Sequence, residues 1–165
     1  MSGERESHYV WGKRYLLQIV ECQGPVSVEL SACRMTLSAQ AGISVERLQE
    51  TLECWYRAQL RQVAVPLVAK WEKILGVKLD HIFIRRMKTK WGSCSRTRPT
   101  IRLNTELAKK PVECLEYIVI HEMAHLLHGN HGVGFQQLLD RVCPMWRESR
   151  MSLNRLPVGH EDWRY

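Results

Sequence analysis

Residues 111–131 read PVECLEYIVIHEMAHLLHGNH, and the reading of the chain turns on this stretch. Val112, Leu115, Ile118, Val119, Ile120, Met123, Leu126 and Leu127 fall on most faces of a helix, which predicts a helix packed on nearly all sides. Pro111 suits its first turn and Gly129 its capping position, so the helix is predicted to run to about His128. His121, Glu122 and His125 stand inside it. Residues four apart lie on one face of a helix, so the two imidazoles point the same way. Burying two histidines and a glutamate among apolar side chains is costly unless they are paired or hold a metal ion. The H-E-x-x-H spacing therefore predicts two metal ligands, with the Glu122 carboxylate beside them as a general base toward water.

A hydrolytic zinc ion takes three protein ligands and keeps one open position. His131 is the preferred third ligand, because the chain can turn back after Gly129. His128 competes, but it does not easily converge with His121. Asp140 and Glu148 are acidic alternatives, and either more readily orients a ligating histidine from outside. No oxyanion-stabilising group stands out. Tyr117, Arg102 and Asn104 are the nearest candidates in sequence, and each reads as structural before catalytic.

Working outward, residues 80–91 read as a strand broken by Gly92 and Ser93, followed by a second short strand from Thr100 to Leu103. Asn104 and Thr105 offer caps for a short helical piece. From Ser44 the apolar residues Leu48, Leu52, Trp55, Val63, Leu67, Trp71 and Ile74 recur at helical steps up to Gly76. Pro66 either kinks this helix or begins a second one. Residues 12–37 read as a β-hairpin turning at Gln23-Gly24-Pro25, with Val26, Val28, Leu30 and Ala32 on its buried face. Helical segments are predicted near 132–142 and 145–155. Residues 1–10 and 157–165 are polar and predicted to fray. No internal repeat is visible.

The 165 residues suit one α+β domain, with a core over about 12–155. With 45% hydrophobic and 25% charged residues, a disordered chain is excluded. No long apolar run predicts a membrane span, and no apolar leader follows Met1, so a cytoplasmic setting is expected. The six cysteines are scattered and read as reduced, mostly buried thiols.

The run Met87-Lys88-Thr89-Lys90-Trp91-Gly92-Ser93-Cys94, then Ile101-Arg102-Leu103-Asn104, then His121 to His125, then His131 with Phe135, resembles the YgjP-like metallopeptidase family, related to SprT-like and WLM-type zinc proteases. The resemblance covers about residues 12–155. It implies a compact zincin-like fold with an N-terminal hairpin, a long helix, a small sheet and the histidine helix. It also implies one zinc ion held by His121, His125 and His131, with Glu122 as catalytic acid/base. A peptide or protein substrate follows, and the strand at Trp91 or the one at 100–104, with Arg102 and Asn104, is expected to bind it by strand addition.

Three other readings compete: a nucleoside triphosphate pyrophosphatase, a DNA-associated SprT-like protease, and a zinc-stabilised module without catalysis. The charge bears on them. The chain carries a net +7, but residues 85–110 hold nine basic residues and one acidic, a net of +8, and the remainder is near neutral. On the predicted strand Arg86, Lys88 and Lys90 share one face. The segment is thus a candidate contact for acidic substrates or a polyanion such as nucleic acid. The oligomeric state is not legible.

Overall fold

A computed structural model describes residues 6–155. The strands are β1 (Ser7–Val10), β2 (Lys13–Glu21), β3 (Ser27–Leu30), β4 (Arg34–Ala39), β5 (His81–Arg85), β6 (Gly92–Ser95) and β7 (Thr100–Asn104). The helices are α1 (Val45–Leu75), α2 (Val112–Ala124), α3 (Val133–Val142) and α4 (Trp146–Arg155), with a 3-10 turn at Thr105–Lys109. The fold is mixed α+β, as expected.

Strands β1 to β4 form one sheet in the order β1-β2-β4-β3, and β5 to β7 a second in the order β5-β7-β6. The hairpin expected over 12–37 does not form: β4 lies between β2 and β3, parallel to the first and antiparallel to the second. The reason is burial. Met35, Leu37 and Ala39 of β4 are buried, whereas Val26 and Val28 are half-buried and Leu30 and Ala32 exposed. The strand with the stronger apolar parity takes the central place. Residues 7–10, expected to fray, pair with β2 instead. The rest of the frayed-end expectation, residues 1–5 and 157–165, lies outside the described residues.

Helix α1 runs unbroken through Pro66, so no second helix starts there. Ser44 Oγ accepts from Arg47 N–H at its start, and Gly76, at φ 68°, adopts the left-handed turn that ends it. Its buried stripe is Tyr56, Leu60, Ala64, Val68, Trp71 and Leu75. This is offset from the predicted face: Leu52, Trp55, Val63 and Leu67 flank it and Ile74 is exposed.

The strand predicted over 80–91 stops at Arg85, and the next begins at Gly92, where a break was expected. Asn104 explains this. Its amide donates to the carbonyls of Met87 (2.9 Å) and Lys90 (2.8 Å), so these groups are satisfied by a side chain instead of a strand partner. Arg86, Lys88 and Lys90 are therefore on a loop and not along a strand face. Ile84, Ile101 and Leu103 face the core together with α1 and α2. Of the six cysteines, all free, only Cys114 is buried. Cys33 and Cys54 are exposed, which corrects the expectation of mostly buried thiols.

Candidate metal centre

Helix α2 is buried along Cys114, Leu115 and the whole run Tyr117 to Ala124. It ends sooner than predicted, with His125 as its capping residue, still in right-handed helical conformation. Leu126 N–H donates to Met123 O and Leu127 N–H to Ala124 O, tightening the last turn. The chain then reverses through Gly129 and Asn130 and brings His131 back to the helix.

His121, His125 and His131 converge, with one ligand atom of each within 4.8 Å of the others. The Nε2 atoms of His125 and His131 are 2.9 Å apart, and those of His131 and His121 3.2 Å. His128 O lies 3.1 Å from His125 Nδ1, and Tyr117 Oη 3.4 Å from His121 Nδ1. With protons on these δ nitrogens, the ε nitrogens keep their lone pairs. Lone pairs aimed at one point repel unless a cation lies among them. Burial, reinforced by His125, His131 and Arg150, pushes His121 down to about 3, so a proton does not supply that charge at neutral pH. Burial also lowers His125. The donor set fits a divalent transition metal. Buried Phe135 packs against all three rings, with centroids 4.8 to 5.1 Å away, and fixes their orientation.

Glu122 is buried between α2 and β6. A Cβ placed on Gly92 would meet Glu122 Cγ at 3.1 Å, so only glycine lets the strand come this close to the glutamate. On the same face of β6, Cys94 has its thiol pushed up to about 11 by burial and then by the Glu122 carboxylate. Its place beside Glu122 was not anticipated. The alternation between Gly92 and Cys94 would have signalled it had β6 been assigned.

The other candidates fall elsewhere. The His128 ring lies against Gly134, and its carbonyl, not its imidazole, serves the site. Asp140 Oδ1 accepts from Trp146 Nε1 and Arg147, both at 2.8 Å, and touches no ligating histidine. Glu148 is exposed on α4. Trp91 is 1% exposed and has the Lys110 ammonium 5.4 Å from its ring centre; it fills the core and cannot meet a substrate. Asn104 is fully buried and organises the 86–91 loop. Arg102 is exposed on the sheet face opposite α2, since its neighbours Ile101 and Leu103 point inward.

Two histidines at the end of a buried helix and a third on the loop after it, with a glutamate held against a small sheet, make a site suited to a metal-dependent hydrolase. The family model described as "YgjP-like, metallopeptidase domain" matches residues 2–156, and the chain belongs to that family. It is thus a metallopeptidase, as the resemblance implied. Among solved structures, the metallopeptidase zymogen abylysin of Pyrococcus abyssi is similar, with TM-score 0.51 and 26% identity over 55% of this chain and 90% of that one. The metallopeptidase zymogen jannalysin of Methanocaldococcus jannaschii gives TM-score 0.42 and 24% identity over 59% of this chain and 92% of that one. No curated protein matches the sequence.

Proposed function

We propose that the chain is a one-zinc peptidase in which His121, His125 and His131 hold the ion and Glu122 moves the proton. The observation that carries this is the convergence of three Nε2 atoms at 2.9 and 3.2 Å. A tetrahedral zinc with nitrogens at about 2.0–2.1 Å sets neighbouring nitrogens about 3.3 Å apart, close to this spacing. When bound, zinc supplies Lewis acidity toward the scissile carbonyl and lowers the pKa of water to about 7.

The residues of the chain do the rest. Glu122, the neighbour of His121 on α2, takes a proton from the attacking water and returns it to the leaving amine. Tyr117 Oη and the His128 carbonyl hold the histidine tautomers. Burial, with Glu122 adding to it and Arg150 opposing it, pushes the Tyr117 phenol up to about 12, so it stays protonated. An extended peptide binds along β6. Central β7 is bonded on both sides and has no edge to offer, whereas β6 is an edge strand beside Glu122. Among the described residues no helix is long and apolar enough to cross a membrane. The exposed free thiols Cys33 and Cys54 fit a reducing, cytoplasmic setting.

The test is a zinc-loaded preparation offered a peptide library, casein and a panel of nucleotides, beside its Glu122→Gln variant. Peptide cleavage is expected to fall by about 10²–10⁴-fold in the variant, with metal content unchanged. Cleavage of nucleotides but not peptides would overturn the proposal.

A further inference from the structure

The outer face of the β5-β7-β6 sheet has no part in the metal centre. His81, Phe83 and Arg85 of β5 lie beside Thr100, Arg102 and Asn104 of β7, and Ser93 pairs with Arg102. His81, Arg85 and Arg102 are exposed and Phe83 is half-buried. The Phe83 ring is the centre of the group. The His81 ring meets it edge-on at 4.4 Å, and the guanidiniums of Arg102 and Arg85 lie 5.6 and 5.8 Å from its centre. Asn104 shares the outward parity of Arg102, and its bonds to Met87 O and Lys90 O fold the 86–91 loop over that end of the face. Lys88 and Lys90 are exposed on that loop.

The charge that the sequence concentrates in 85–110 divides once the ion pairs are drawn. Glu106 takes Arg86 (3.9 Å) and Lys109 (2.8 Å), Asp80 takes Arg98 (3.7 Å), and Lys110 is buried beneath Trp91. Arg96 turns against Gly129, toward the metal centre. Arg85, Lys88, Lys90 and Arg102 remain, and among the described residues none of them forms an ion pair. All four belong to this face or its bordering loop.

We propose that this face binds single-stranded nucleic acid, with bases stacked on Phe83 and its flanking guanidiniums and phosphates held by Arg85, Lys88, Lys90 and Arg102. The chemistry favours nucleic acid over an acidic protein segment. An acidic protein segment would engage the four cations but has no use for the ring at their centre. An aromatic ring among arginines offers what a base and its phosphate use.

The experiment is fluorescence anisotropy of the metal-loaded chain with short labelled oligo-dT and oligo-U, across a salt series. Arg85→Gln combined with Arg102→Gln is expected to weaken binding about tenfold and to reduce the salt slope by about 1.4, from two lost phosphate contacts at about 0.7 each. Phe83→Leu keeps apolar packing but removes the ring; it is expected to cost about tenfold without altering the slope. The double variant Arg141→Gln with Arg155→Gln removes the same charge from exposed positions on α3 and α4 and is expected to bind as the parent does. Thermal melts establish that each variant is folded. Equal losses in the two double variants would overturn the proposal. So would unaltered binding by Phe83→Leu, or displacement of the oligonucleotide by polyglutamate as readily as by unlabelled oligo-dT.

Discussion

The strands β2-β3-β4 and β5-β6-β7 follow the same path. In each unit the third strand slots between the first two, parallel to the first and antiparallel to the second, and then leads into helical structure. Their surroundings differ. No residue of β2 is buried, and its Ile19 is 55% exposed, whereas four of the five residues of β7 are buried. The inner face of the second unit packs on α1 and α2; the first unit has less to cover it. Strand path therefore does not decide where the chemistry is placed. Cover does, because a general base and three ligands need a support that does not yield.

Core truncation is the strongest way to break this comparison. Leu103→Ala in β7 is expected to cost about 2–5 kcal/mol in urea unfolding. Ile19→Ala in β2 is expected to stay within about 0.5 kcal/mol. Similar losses would mean that the two units are equally supported.

Adding a single methyl group sharpens the contrast. A Cβ on Gly92 would lie 2.9 Å from Arg102 O and 3.0 Å from Ile118 Cγ2, while one on Gly24 meets nothing within 4 Å. Gly92→Ala is expected to cost about 1–3 kcal/mol and to lose peptide cleavage as Glu122 shifts. Gly24→Ala should leave both stability and cleavage at parent values; parent-like cleavage by Gly92→Ala would refute the fit at β6.

A smaller effect per step comes from acid. His121 is held down to about 3, against an ordinary value of 6.5. Below 6.5 the unfolded chain takes up a proton that the folded, metal-free chain refuses, so stability falls as pH falls. The slope approaches about 1.4 kcal/mol per pH unit and fades near the folded value. His121→Gln is expected to flatten it over this window. A slope that survives the substitution would place the sensitivity elsewhere.

How far these features were legible follows from what sets them. The grouping of His121, His125 and His131 could be read because metal geometry imposes its spacing on the chain. The α+β class, α3, α4 and both ends of α1 could be read from periodicity and caps. Strand order could not, since the placing of β4 rests on the burial of Met35, Leu37 and Ala39 relative to strands elsewhere. The end of β5 was hidden because its cause, the Asn104 amide, stands 14 and 17 residues from the carbonyls it holds. Trp91 and Asn104 looked like binding residues for a related reason. A tryptophan and an asparagine in a short motif carry the same letters whether they meet a substrate or shape a loop.

The insertion of β7 also has a consequence for assembly. Strands β5 and β6 share no ladder, so neither has a partner in its own sheet until β7 threads between them. Strand β6 meets β7 as a local antiparallel hairpin, with Ser95 opposite Thr100, whereas the parallel pairing of β5 with β7 closes a longer loop and is the slower step. Gly92 and Glu122 come side by side where α2, which follows β7 in the chain, packs back on this sheet. The support on which Glu122 rests is thus complete only when all three strands are paired.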